Sequence, residues 1–280
     1  MRGTGPIKLE PIRKEYIWGT EDWMLSYLHE GFEEIPLLIK IITAREALSV
    51  QVHPGDAFAR EKEQACGKTE MWYVLDCEPG AYLYYGLKHK ISPNEFLKRV
   101  QNQTILEVCR KMPVKKGDVF YIPAGMIHAI GKGIQVAEIQ QSSDITYRVY
   151  DYNREDESHQ KRPLHIEKAA LVAGFKPPLQ GHRPMGPRVQ KEGYSRTLLV
   201  QCPYFVVKLY EVEGAMEGTV KEAFQSILVL EGEGRLWSTA GECTLERGDS
   251  IFLPKEIKDY RIKGNLQLLV SEASMSKGRI

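Results

Sequence analysis

The 280-residue sequence holds no apolar run long enough to span a bilayer. Its opening, Met1-Arg2-Gly3-Thr4-Gly5-Pro6, has none of the hydrophobic stretch of a secretory signal, so a cytoplasmic protein without membrane partners is expected. An excess of either charge is also absent. Lysine plus arginine is 38 against 37 aspartate plus glutamate, so no global field selects nucleic acid. A local basic pocket for a small anion stays open. Five cysteines, at 66, 77, 109, 202 and 243, make an odd set with no Cys-x-x-Cys pair. That excludes a disulfide framework and points to reduced thiols, with Cys66 a bystander for want of a partnering base. Histidine is scarce: there are seven, and none lies beyond His182. The C-terminal portion therefore cannot build a histidine-based metal site.

What is present is mostly β pattern. Short segments rich in β-branched or aromatic residues, bounded by Gly or Pro, recur at 37–42, 48–52, 71–75, 81–85, 118–122 and 135–139. This spacing suggests a mainly β chain built as an antiparallel barrel or jelly roll. Ser92-Pro93-Asn94-Glu95 reads as a capping box with proline at the first helical position, and Phe96, Leu97 and Val100 follow at helical spacing. Thr104-Ile105-Leu106-Glu107 repeats the capping signal, so residues 92–112 are expected to form a small helical insert between two strands. A further helix is expected from His165 to Val172.

The chain also echoes itself. Trp72-Tyr73-Val74-Leu75 resembles Ile227-Leu228-Val229-Leu230 at an offset of 155, and Gly117-Asp118 through Pro123 resembles Gly248-Asp249 through Pro254 at an offset of 131. The difference is close to the length of the helical insert, so one insertion explains it. Lys176 to Arg188 carries four prolines and two glycines, a linker composition. The expected organisation is a catalytic metal-binding barrel over 1–175, a linker over 176–190 and a metal-free barrel over 191–280.

Residues at i and i+2 of a strand share a face, so Gln51 and His53 point one way, as do Lys68 and Glu70 on another segment. If the strands are neighbours, Gln51, His53, Glu70 and His128 converge with one nitrogen or oxygen donor each. That set fits a divalent transition metal and, lacking thiolate, suits an open catalytic site better than a closed structural one. The bland alternatives are core histidines, a solvated Glu70, an exposed Lys68, and an exposed ion pair between Arg148 and Asp151. His29, His89, His159, His165 and His182 show no converging partners.

The run Gly-Asp-x-x-x-x-Pro-x-Gly-x-x-His from Gly117 to His128 resembles the second signature of the cupin barrels. Combined with Gln51-Val52-His53-Pro54, Lys68-Thr69-Glu70-Met71-Trp72 and Tyr147-Arg148-Val149-Tyr150-Asp151-Tyr152-Asn153-Arg154, it closely resembles the type I mannose-6-phosphate isomerases, compact bacterial branch. The likeness runs from Trp18-Gly19 to Leu164-His165-Ile166-Glu167-Lys168-Ala169. It implies two cupin-type jelly-roll barrels and one zinc ion per chain, held by Gln51, His53, Glu70 and His128. It also implies a phosphorylated hexose as substrate, with Arg148 and Lys68 at catalytic or substrate-binding positions. Gly55 departs from the family, which often has aspartate after His-Pro; the ligands are untouched, but the loop contacts must differ.

Aldose–ketose isomerisation moves a proton between adjacent carbons through a cis-enediol. It needs a base and a means of stabilising oxyanion charge. Glu138, Lys68 and a metal-bound water stay open as the base, and a lysine in that role needs a depressed pKa. An iron-dependent dioxygenase on the same pocket is disfavoured because Gln51 stands where the oxygenase His-x-His pair has its first histidine. A non-catalytic sugar-binding cupin is disfavoured by retention of Lys68 and Arg148 beside four ligands. The oligomeric state is left open.

Overall fold

The structure is a computed structural model, and it describes residues 5–155, 158–179, 181–221 and 223–274. Met1 to Thr4 of the opening and Gln180 of the expected linker lie outside the described residues. The chain is mainly β, and all six expected strands occur with ends displaced by at most two residues. No helix among the described residues is long and apolar enough to cross a membrane.

Two compact units divide the chain, one of residues 13–22 and 41–182, the other of 1–12, 23–40 and 183–280. The exchange at 182/183 falls inside the expected linker. Grouping of the N-terminal segments with the later unit has a long-range cause: Ile7–Leu9 pairs antiparallel with Ser250–Pro254, Ile7 opposite Phe252. That later unit is an eight-stranded sheet with three strands of 15 residues, Phe205–Thr219, Phe224–Ser238 and Asp259–Ala273.

The unit 13–22/41–182 carries the candidate site. One of its sheets runs in the order Tyr147–Tyr150, Val50–Val52, His128–Ala129, Tyr82–Leu87, Cys109–Pro113. The other places Ile134–Gln141, Glu70–Cys77 and Val119–Ile122 side by side. Trp72, Val74, Phe120 and Val136 from one sheet share a buried cluster with Leu83 and Tyr85 from the other. The alternate residues Val50, Val52, Tyr84, Tyr147 and Val149 face outward and are covered by Phe96, Val100 and Ala169 from helices. This two-way alternation, read against the pleat, decides which side chains enter the site.

The Ser92 cap is as expected at its first half: Ser92 Oγ accepts from the Glu95 N–H at 3.1 Å, opening a helix over Pro93–Gln101. The Glu95 carboxylate does not return to Ser92 but accepts from Arg99 Nε at 2.8 Å. At Thr104 no side-chain cap forms; a 3-10 turn spans Ile105–Glu107 and gives way to the strand Cys109–Pro113. The expected helical stretch to 112 is thereby corrected, because pairing with Tyr82–Leu87, Leu83 opposite Met112, overrides local propensity. A short helix Asp56–Glu63 had no sequence signal, since Ala59 is its single buried residue and no apolar stripe repeats.

The internal echo is a shared turn. Gly117 and Gly248 both adopt positive φ, +89° and +93°, where a side chain is strained. Gly117 N–H donates to Val74 O and Val74 N–H to Asp118 O, both 2.9 Å; Gly248, Val229 and Asp249 repeat this at 2.9 Å each. Asp118 and Asp249 each accept, through Oδ2, the N–H three residues back, at 2.9 and 2.8 Å. Val74 and Val229 stand at the same 155-residue offset as the sequence match.

Candidate metal centre

Gln51 is the middle of a cross-strand row. Arg148 lies opposite it on one side and His128 on the other, and His128 in turn faces Tyr85. Directly opposed residues of antiparallel strands project to the same face, so Arg148, Gln51, His128 and Tyr85 line one wall. The facing sheet supplies a second pair of rows, Glu70 opposite Gln140 and Trp72 opposite Glu138. His53 follows the strand Val50–Val52, where its carbonyl accepts the Gly125 N–H at 2.8 Å.

These donors meet. One ligand atom from each of His53, Glu70 and His128 lies within 4.8 Å of the others, and all three residues are buried. Glu70 Oε2 is 3.5 Å from His53 Nε2, and Glu70 Oε1 is 3.3 Å from His128 Nε2. His53 Nδ1 stands 2.8 Å from the Ile145 carbonyl and His128 Nδ1 2.8 Å from the Met126 carbonyl. A nitrogen that close to a carbonyl carries the proton, so both Nε2 lone pairs are turned toward Glu70. Burial pushes the His128 imidazolium down to about 4, opposed by the Met126 bond and reinforced by the Lys68 charge, so the ring is neutral at pH 7. Two neutral imidazoles and a carboxylate, each held by a backbone partner or strand register, fit a divalent transition metal. Gln51 lies beside this group: its Nε2 is 3.4 Å from His128 Nε2, and Ser49 Oγ donates to its Oε1 at 3.3 Å.

Lys68 is buried, with its ammonium 3.2 Å from Glu70 Oε2. Burial alone lowers its pKa, but the charges of Glu70, Glu138 and Glu21 and the Glu70 hydrogen bond outweigh it and raise the group above the ordinary lysine range. Glu138 is buried and its Oε2 accepts from Trp72 Nε1 at 2.8 Å. Its charge acts on both Lys68 and His128.

The loop carrying Lys68 and Glu70 is tied down by residues the motifs did not flag. Asp56 Oδ1 accepts from Gly67 N–H at 2.9 Å and from Gln141 Nε2 at 3.0 Å, while Gln141 Oε1 accepts from Thr69 N–H at 2.9 Å. A Cβ on Gly67 would come within 2.6 Å of the Asp56 nitrogen, which is why glycine stands there. Asp56 thus makes loop contacts where Gly55 departs from the family pattern. Cys66 donates to the Ser142 carbonyl at 3.0 Å, and burial raises its thiol.

The Arg148–Asp151 ion pair does not form. Asp151 is buried and instead accepts from Arg162 Nε and Nη2, both 2.7 Å, and from Arg154 Nη2. His165 does have a partner: Arg148 N–H donates to its Nδ1 at 3.3 Å, and its own N–H donates to the Arg148 carbonyl at 2.8 Å. It satisfies an edge strand that has no neighbour on that side. His165 and Arg162 carry no periodic signal that would have marked them.

A family model for the cupin domain of mannose-6-phosphate isomerase matches residues 195–273. The mannose-6-phosphate isomerase of Streptococcus mutans is 39% identical over 239 residues, 85% of this chain and 74% of that protein. The crystal structure of mannose 6-phosphate isomerase from Bacillus subtilis superposes with a TM-score of 0.88 at 33% identity, covering 96% of this chain and 99% of that one. A mannose 6-phosphate isomerase solved with zinc and yttrium shares the fold, with a TM-score of 0.70 at 14% identity over 98% of this chain and 100% of that one. The fold is therefore the cupin-like one of these isomerases, and the chain belongs to the mannose-6-phosphate isomerase family.

Proposed function

We propose that this chain is a cytoplasmic zinc-dependent aldose–ketose isomerase interconverting mannose 6-phosphate and fructose 6-phosphate, with one ion per chain held by Gln51, His53, Glu70 and His128. The observation that carries this reading is the convergence of three buried donors within 4.8 Å in a chain whose relatives bear that enzyme's name. A half-turn of the Gln51 amide exchanges Nε2 for Oε1 beside His128 and completes the donor set. Two imidazoles with oxygen donors accept zinc among several divalent transition metals, and zinc is the ion named for one structural neighbour. We read the two units as paired cupin barrels, the helices at 93–107 being an insertion in the first; the repeated Gly-Asp turn supports this.

When bound, the ion supplies Lewis acidity to the sugar carbonyl and orders the neighbouring hydroxyl. The chain's own groups do the rest. Glu138, held by the Trp72 N–H, is the carboxylate suited to take the proton from one carbon and return it to the next. We favour it over Lys68, which is ion-paired with Glu70 at 3.2 Å and so serves as a fixed positive charge beside the developing oxyanion. Arg148, on the same wall as Gln51 and His128, offers a guanidinium to the substrate's negative charge.

A coupled assay for fructose 6-phosphate formed from mannose 6-phosphate tests the reading. Turnover that collapses on chelation and returns with zinc is expected. No turnover in zinc-replete protein removes the isomerase assignment, whereas full turnover after metal removal removes the ion's role.

A further inference from the structure

The later unit carries a polar cluster at the counterpart of Glu70. The 155-residue offset that sets Val74 on Val229 sets Glu70 on Gln225, and the strand pairing follows it. Glu70 lies opposite Ile122 on one side and Gln140 on the other. Gln225 lies opposite Leu253, the counterpart of Ile122 at the 131-residue offset, and opposite Glu272. Carboxylate and amide have changed places across the row. Lys208 stands diagonal to Glu272 on the neighbouring strand, opposite Val270, and so shares its face. The three side chains meet. Glu272 Oε1 accepts from Lys208 Nζ at 3.1 Å and from Gln225 Nε2 at 2.9 Å. Gln225 Nε2 also donates to the Thr219 carbonyl at 3.1 Å.

Two features distinguish this cluster from a closed structural ion pair. Gln225 is only 5% exposed, yet its Oε1 accepts no hydrogen bond from any described residue. Leaving a buried acceptor unmade costs about 1–3 kcal/mol, a cost that a bound hydroxyl would remove. The cluster also opens outward: the side chains of Glu272 and Lys208 are 15% and 27% exposed. On the same face, two residues beyond Lys208, stands the half-buried ring of Tyr210, its centroid 6.0 Å from that of Tyr194.

We propose that Gln225, Glu272 and Lys208 form a metal-free binding site in the later unit for a neutral sugar or polyol presenting two adjacent hydroxyls. The Lys208 ammonium already occupies the carboxylate that a metal cation would need. The pair carries no net charge, so it selects an ion of neither sign. A hydroxyl both donates and accepts. One would donate to Gln225 Oε1 and accept a second N–H of Lys208, and its neighbour would donate to the other Glu272 oxygen. Tyr210 offers an apolar face to the C–H groups of the ligand. This site does not depend on the isomerase reading.

The test is a saturation-transfer NMR titration of the zinc-loaded full chain with methyl α-mannoside, a neutral sugar whose locked ring has no phosphate and cannot isomerise. Wild type is compared with Gln225→Met, the double variant Lys208→Met/Glu272→Leu, and Arg148→Ala. Wild type should bind saturably, and so should Arg148→Ala. The other two variants should bind about tenfold more weakly, the worth of one or two hydrogen bonds, while turning over mannose 6-phosphate as wild type does. No saturable binding by wild type, binding within about twofold of wild type in both of those variants, or loss in Arg148→Ala alone overturns the proposal. Should the variants fail to fold, acetylation of the wild type decides. The sugar should slow modification of Lys208 and leave the exposed Lys62 and Lys132 unchanged. A Lys208 rate indifferent to the sugar overturns the site. Sugar binding at Lys208 in a chain without turnover would support this site and sink only the isomerase reading.

Discussion

Replacing Glu70 by Gln isolates one charge at the heart of the site. The carboxylate is fully buried and lies 3.5 Å from His53 Nε2, 3.3 Å from His128 Nε2 and 3.2 Å from the Lys68 ammonium. The glutamine amide keeps the shape and its NH2 can donate to one imidazole Nε2, so the change chiefly removes the negative charge opposite a lysine that is only 4% exposed. At 3.2 Å and an effective dielectric near 20, that attraction is on the order of 5 kcal/mol. Breaking a buried pair from one side typically costs about 3–5 kcal/mol. Glu138 and Glu21 still act on Lys68, which sets the expectation at the lower end, about 3 kcal/mol for the metal-free protein. Urea unfolding of chelated wild type and variant at pH 7 measures this, and elemental analysis of both proteins after zinc loading measures ion retention. The variant should also fail to hold zinc. Adding Lys68→Met in the same background should recover stability, because the stranded ammonium is the cause of the loss. A loss below about 1 kcal/mol together with a full complement of zinc would refute the reasoning.

Arg148→Ala should keep its zinc and lower kcat/KM by about two orders of magnitude, the scale for losing one transition-state donor, as read by the coupled assay and elemental analysis. Unchanged turnover would remove Arg148 from the machinery. Asp151→Asn should cost about 3 kcal/mol near neutral pH in urea unfolding. Burial raises the Asp151 pKa, but the hydrogen bonds from Arg162 and Arg154 outweigh it and hold the carboxyl below its ordinary 3.8. A depressed folded value stabilises at pH above the ordinary one and is lost on acidification, so the gap between wild type and Asp151→Asn should narrow below pH 3.8. A gap constant from pH 7 down to 3 contradicts the pairing. Ser92→Ala removes the 3.1 Å cap to the Glu95 N–H and should cost about 1 kcal/mol in the same unfolding measurement; no change would mean the cap is idle.

Much of the site was legible because each ligand candidate sits in a local pattern. Gln51 and His53 are spaced by the strand period, Glu70 opens a strand, and His128 ends a turn-rich run whose Gly117 takes the left-handed conformation that glycine favours. The Gly-Asp echo at 248–249 was legible for the same reason, and it corresponds to the same hydrogen-bonded turn. What escaped was non-local. Arg162 reaches Asp151 across a separation of 11 residues, and His165 reaches back 17 residues to the edge strand at Arg148. Neither separation has a period that sequence can display. Pairing of Ile7 with Phe252 is longer still, which is why the grouping of 1–12 with the later unit was not foreseen. Cys109–Pro113 was read as part of a helical insert because its partner, Tyr82–Leu87, is visible only once the sheet closes.

Titrating metal-free protein with zinc while recording bound ion and mannose 6-phosphate turnover on the same samples tests the central claim most directly. Turnover should rise in proportion to bound zinc and stop rising at one ion per chain, with His128→Ala showing neither. Full turnover before any zinc is bound, or a chain holding one zinc ion that leaves mannose 6-phosphate unchanged, would contradict the account.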